Sequence, residues 1–331
     1  MILGFAHADG APCPTVVVNL DVVPAEPQEL LAAMVRLRRR LTGAGLGCVL
    51  KYALIAPSHT GGPFDIDYRF VQALPGGVDR FDVRGSCGHS ILSALVVAAQ
   101  SGMVPPLVTG ARARVSVLNN GDQVSCTVVA EDTDTTRFDV QFVLDQSRRL
   151  PAMMINDSAV DTIRAGGRDH QVSLVSVGNP YVFLAADTIG APGPDALFTA
   201  GNDMRDTMVM IRRAAAVSLG WCPDGAFPKV AALGARADGA VFARAMSVTD
   251  WHPTLALTGV CALAAATALP GTIPYAVTEG VADRSSLRVA TPAGETRVST
   301  EVTDHCGERR LHSVKIHDKT VRLLSQPISQ H

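Results

Sequence analysis

Two stretches of this chain run the length of a helix without a single charge: SILSALVVAAQS, Ser90–Ser101, and TGVCALAAATA, Thr258–Ala268. A helix lying on a surface keeps one apolar stripe and one polar face, whereas these two are apolar all round, so each has to be enclosed by other structure. Sheet is what surrounds them. Alternating or β-branched runs bounded by Gly, Pro, Asp or Asn recur at Thr15–Val23, Cys48–Ile55, Ile66–Leu74, Arg112–Leu118, Gln123–Val129, Arg137–Leu144, Val172–Val177, Tyr181–Ala185, Lys229–Leu233, Gly239–Met246, Tyr275–Val277, Ser286–Ala290, Glu295–Val302 and Ser313–His317. Further helical signals are confined to Pro27–Arg39 and Asp203–Ser218. The pattern predicts an α+β protein in which each enclosed helix is the centre of its own domain.

The two halves share an order of elements. In each, a strand pair leads to a short turn with glycine (SCGHS, LTGVC), then to the all-apolar helix, a Pro-containing turn and further strands. This reads as a diverged internal repeat, with two unrelated α+β domains as the alternative. The glycine-rich RAGGRDH, Arg164–His170, marks the break and gives domains at residues 1–165 and 166–331.

Charge limits the partners. Charged residues are 18% of the 331 and the formal net charge is -2, so no basic face is available for a phosphate backbone and nucleic acid is excluded. The seven cysteines, at 13, 48, 87, 126, 222, 261 and 306, form no CxxC pair, and no charged-then-apolar leader precedes them. Reduced thiols and a cytoplasmic setting are expected. The charge-free stretch Gly85–Ala111 is broken by Gly102 and Pro105-Pro106, which argues against a membrane span. His305, Cys306 and His312 lack a partner pair for a metal, and no GxGxxG, Walker loop or GxSxG elbow occurs. Neither metal nor cofactor is expected.

Two residues stand out chemically. Cys87, in RGSCGHS, falls at the first turn of the first enclosed helix. There unpaired backbone N–H groups and the positive end of the helix dipole favour thiolate over thiol, which suits an acid or base; a small buried filler is the bland alternative. Lys51 interrupts the apolar run CVLKYALIA. Burial would favour its neutral amine, a usable base, unless it snorkels from a strand end.

The chain resembles the PrpF family, the methylaconitate-type isomerases that share the diaminopimelate epimerase fold. The resemblance rests on DIDYRFVQ (Asp65–Gln72), GSCGHS (Gly85–Ser90), ARVSVLNNG (Ala113–Gly121), SVGNPYVFL (Ser176–Leu184), RRAAAVSLGW (Arg212–Trp221) and ARAMSVTDWHPTLALTGVCALAAA (Ala243–Ala266). It implies two similar domains, each a curved sheet or open barrel around a central helix, with the active site in the cleft between them. It implies Cys87 and Lys51 as the proton-transfer pair. Ser86, Gly88 and His89, the last where the family usually has asparagine, would line the pocket. Asn179 of the GNP turn, His252, and the Thr258-Gly259 amides would hold a substrate carboxylate or developing enolate; a plain turn and a structural histidine are the alternatives for Asn179 and His252.

Departures from the family narrow the expectation. The second-half turn reads ALTG, with Cys261 one turn inside the helix, which disfavours the two-thiol racemase mechanism of the epimerases. The GGTSKG-like loop of tricarboxylate-acting members is replaced by DGAPCPT, Asp9–Thr15, and the stretch before Lys51 is GLGCVL. Both changes suggest fewer substrate carboxylates. The resulting expectation is a cofactor-independent isomerase that shifts a proton across an allylic system of an unsaturated carboxylic acid, for example a pyrroline carboxylate in secondary metabolism. An amino-acid epimerase and an inactive small-acid binding protein are the alternatives, and a homodimer is left open.

Overall fold

The computed structural model describes residues 1–59, 62–248, 250–281 and 283–325. The chain divides into two units, Met1–Val140 with Asp318–His331, and Gln141–His317.

The first unit contains β1 (Ile2–Ala8), β2 (Thr15–Asn19), α1 (Pro27–Gly43), β3 (Lys51–Pro57), β4 (Ile66–Ala73), β5 (Phe81–Asp82), α2 (Gly88–Gln100), β6 (Arg112–Val117), β7 (Gln123–Glu131) and the start of β8 (Thr135–Arg149). The second contains β9 (Asp161–Ala165), β10 (Arg168–Val177), β11 (Asn179–Ala185), α3 (Pro194–Phe198), α4 (Asn202–Ser218), β12 (Lys229–Ala235), β13 (Val241–Ala245), α5 (Leu257–Ala266), α6 (Ile273–Val277), β14 (Ser286–Thr291), β15 (Gly294–His305) and most of β16 (Glu308–Leu324). The end of β16 returns to the first unit, where Phe5 to Ala8 pair antiparallel with Leu324 to Val321.

The internal repeat is written in the strand pairing. The first unit joins β2 to β3 and β4 to β6 in parallel, with antiparallel pairs β1–β2, β3–β4 and β6–β7 between. The second repeats this arrangement, with β11–β12 and β13–β14 parallel and β10–β11, β12–β13 and β14–β15 antiparallel. Parallel neighbours need a crossover, and each crossover is filled by a helix in the equivalent place: α1 and α4 in the first of each unit, α2 and α5 in the second. In the first unit β8 and β16 are neighbours and β16 pairs β1, so the sheet closes on itself around α2.

Helix character follows burial. In α2 every residue from Gly88 to Ala98 is buried, and in α5 all of Leu257–Ala266 are. By contrast α1 buries Leu30, Ala33, Met34, Leu37 and Leu41, the stripe of a helix covering the other face of the sheet. In α4, Met208, Ile211 and Ala215 do the same. No described helix is long and apolar enough to cross a membrane.

Two expectations need correcting. The stretch Arg164–His170 is no domain break: Gly166 and Gly167, at φ 56° and 76°, make the two-residue turn of the β9–β10 hairpin, where positive φ is what a tight hairpin requires. The units separate instead at Val140 and Asp318. Tyr275–Val277 is helix, not strand, because Thr272 caps α6 by accepting the Tyr275 N–H at 3.2 Å and Pro274 suits the first turn.

Candidate active site

Lys51 begins β3 opposite Thr15 on β2 and Gln72 on β4. Side chains on one rung of a sheet share a face. The Thr15 hydroxyl lies 3.0 Å from that of Ser90 on α2, so this rung faces the buried helix. Lys51 is 5% exposed, and among the described residues its ammonium has neither a carboxylate partner nor a hydrogen bond.

Cys87 is the N-cap of α2, in extended backbone at φ -140° and ψ 106°. Its carbonyl accepts the Ile91 N–H at 2.9 Å, while its side chain makes no cap bond. As N-cap, Cys87 sits at the end of α2 where the first-turn N–H groups have no partner within the helix. The approach to it is braced on buried Asp82, whose carboxylate takes the Arg84 N–H at 3.0 Å and the guanidinium at 2.6 Å. Ser86 reaches Asp122 at 3.4 Å, so its hydroxyl serves the loop; Gly88 and His89 form the buried first turn of α2.

Tyr68 was not singled out by its sequence. Fully buried on β4, it donates to the Cys87 carbonyl at 3.4 Å and is hydrogen-bonded to Ser90, and burial with Cys87 alongside holds its hydroxyl well above the ordinary phenol range. Thr15, Ser90 and Tyr68 therefore pin the turn that presents Cys87.

Cys13 is the second addition. It lies in the β1–β2 loop, accepts a hydrogen bond from the Leu50 N–H, and is within electrostatic reach of both Lys51 and Cys87. Burial pushes its thiol up, against the lowering pull of Lys51. Lys51 and Cys87 thus both act on Cys13 electrostatically. The only signal in the sequence is Pro12-Cys13-Pro14, a cysteine clamped between two fixed φ angles.

The second-unit candidates gather at the start of α5. Asn179, wholly buried at the head of β11, donates from Nδ2 to the Thr258 hydroxyl at 3.0 Å. His252 is 5% exposed, with its N–H on the Ala245 carbonyl at 2.8 Å and Nδ1 accepting from the Thr254 N–H at 3.1 Å. Nδ1 thus accepts from the turn that leads into α5. Gly259 departs from expectation. Its N–H is spent on the Ala256 carbonyl at 2.7 Å, and a Cβ there would lie 2.5 Å from the Tyr181 hydroxyl oxygen, so packing explains this glycine. Cys261 is enclosed within α5.

A sequence model for the family described as PrpF protein matches residues 41–329. The loop that carries Cys13 lies before that span. The 3-methylitaconate isomerase of Eubacterium barkeri is 25% identical over 295 residues, 77% of each chain. A putative isomerase, YbhH of Escherichia coli strain K12, is 23% identical over 270 residues, 76% of each. Among solved structures, a methylitaconate-delta-isomerase superposes with TM-score 0.67 at 21% identity, covering 97% of this chain and 93% of that one. A probable proline racemase from Agrobacterium radiobacter K84 gives 0.65 at 16% identity, covering 99% and 91%. The fold is thus the diaminopimelate epimerase-like one that the resemblance implies.

Proposed function

We propose, for a chain that belongs to the PrpF family, that it is a cofactor-independent isomerase moving a double bond in a small unsaturated carboxylic acid. The observation that carries this reading is the buried pair itself: Lys51 and Cys87, 5% and 6% exposed, both within electrostatic reach of Cys13 and with no carboxylate paired to the lysine among the described residues. A pure binding site has no need of a thiol at a helix N-terminus as well as a buried amine.

The reaction balances without a cofactor. Cys87, as thiolate at the positive end of α2, takes the γ-proton; the C–H electrons form the β,γ double bond and the former α,β pair spreads onto the carboxylate as a dienolate. Lys51, as ammonium, then protonates the α-carbon. A proton passing from thiol to amine, directly or through water, restores the starting state. Acid–base help of this kind is worth about 10²–10⁴ in rate, and preformed donors for the dienolate add to it.

The substrate class follows from the loop before β2. Pro12 and Pro14 have no N–H to offer there, and no carboxylate is paired to Lys51 among the described residues. An acid with one carboxylate and an apolar remainder fits better than a tricarboxylate. An alkyl-substituted pyrroline carboxylate, on a secondary-metabolic route to an unusual proline, is the specific candidate.

The test is proton NMR in D₂O with pyrroline carboxylates, itaconate-type dicarboxylates and aconitate-type tricarboxylates. Deuterium entering at one end of the allylic system as the double bond moves, and lost in Cys87→Ser and Lys51→Met, supports the isomerase. Exchange at a saturated α-carbon with no double-bond movement would replace it with a racemase, and turnover of tricarboxylates alone would remove the pyrroline assignment.

A further inference from the structure

The proposal concerns Cys13 and rests on the isomerase reading. Cys13 is held from three sides: Pro12 and Pro14 fix the backbone about it, and the Leu50 N–H, one residue before Lys51, bonds its sulfur. Cys13 is partly exposed, whereas the two groups beneath it are shut in. Lys51 is 95% buried, by its 5% exposure, and faces the α2 side of the sheet on the Thr15 rung. The Tyr52 hydroxyl, also within electrostatic reach of Cys13, is buried and makes no hydrogen bond among the described residues.

An ammonium taken out of water without an anion is costly. The titratable group of the chain that acts on Lys51 from the loop before Thr15 is Cys13, a thiol. A carboxylate at position 13 would pair with Lys51 permanently. A neutral sulfur, kept protonated by its burial, leaves the lysine's anion partner to come from outside.

We propose that Cys13 is a specificity-determining residue of this site: a neutral wall beside Lys51 that leaves room for one incoming carboxylate and touches the apolar part of the acid that brings it. The class selected is the small unsaturated monocarboxylate.

The test uses the whole chain. N-ethylmaleimide labelling is followed site by site by mass spectrometry, with and without 1-pyrroline-2-carboxylate, crotonate, itaconate or cis-aconitate, each also scored by the shift in melting temperature. Exposed Cys222 and Cys306 serve as internal controls. The expected result is that a monocarboxylate that raises the melting temperature slows labelling of Cys13 at least fivefold and leaves the two controls unchanged. Cys13→Asp supplies the missing counter-ion: affinity for that acid falls at least tenfold while the melting temperature holds or rises, and Cys13→Ser keeps the fold and most of the affinity. If the acid binds and protects Cys87 while Cys13 labels as before, or if Cys13→Asp lowers the melting temperature with affinity intact, Cys13 is a structural residue and the isomerase reading stands without it. If no acid shifts the melting temperature or protects either thiol, the isomerase reading itself fails, and this inference with it.

Discussion

Gly259→Ala separates packing from anion binding at the start of α5. The added Cβ would lie 2.5 Å from the Tyr181 hydroxyl oxygen, 2.6 Å from Cζ and 2.8 Å from Leu255 Cδ1. Tyr181 cannot swing away, because it is 1% exposed and its ring is stacked on Phe183 at 5.5 Å between centroids. Overpacking of this kind costs about 1–3 kcal/mol, and three contacts inside van der Waals distance put this case in the upper half of that range. Alanine recovers at most about 1 kcal/mol in helix preference, leaving a net loss of about 2 kcal/mol. For a domain of about 150–250 residues each kcal/mol moves Tm by about 2–4 °C, so calorimetry is expected to show a fall of about 4–8 °C. Pairing the change with Tyr181→Leu should recover part of the loss in a double-mutant cycle. A variant with unchanged Tm that no longer binds the acid would refute the packing argument and return the Gly259 amide to the substrate.

Lys51→Met is expected to reduce isotope exchange by about 10²–10⁴ while leaving Tm unchanged or raised, since a buried charge without a partner gives way to an apolar side chain of similar length; a lower Tm would mean that the lysine is a structural group. Tyr68→Phe takes a hydrogen-bond partner from the Cys87 carbonyl and from Ser90. It should cost about 1 kcal/mol of stability and lower kcat about tenfold, with KM held, as a positioning residue does; an unchanged kcat would dismiss that role. Lys319 titrates at about 8 rather than 10.5, chiefly through burial, with Asp318 and Asp9 pulling upward. Its folded value is the depressed one, so between these two pH values the unfolded chain binds the extra proton and the contribution of Lys319 to stability rises with pH. Urea titrations should show wild type gaining on Lys319→Met across that window, and parallel curves would discount the shift.

The enclosed helices are legible in the sequence because an apolar surface on every side has one solution, enclosure, and strand runs of the right length flank both. What escapes is whatever depends on a distant partner. The strand β1, ILGFAHA, shows no clean alternation, with Gly4 and His7 among its apolar residues, and half of its pairing comes from β16 at the other end of the sequence. The short β9, DTIRA, owes its existence to the Gly166-Gly167 turn. Around the site, Cys87 and Lys51 can be picked out because each is anomalous locally. Tyr68 is unremarkable in its strand and gains its meaning from the turn of α2 that the topology sets over it. Cys13 is visible only as a cysteine between two prolines in DGAPCPT, since its closeness to Lys51 comes from the parallel pairing of β2 with β3.

The seam between β1 and the end of β16 sets an order of events for a chain made from its N-terminus. The second unit is one continuous segment, Gln141–His317, and has all its strands once that segment has been synthesised. The first unit has its helices and strands β1 to β8 earlier, but its closing strand arrives only with Asp318 to Leu324. Until then β1 and β8 present open edges, the kind that pair with other chains. The unit begun first is therefore finished last, and the growing chain must carry Lys51 and Cys87 through most of its synthesis on a sheet that has not yet closed.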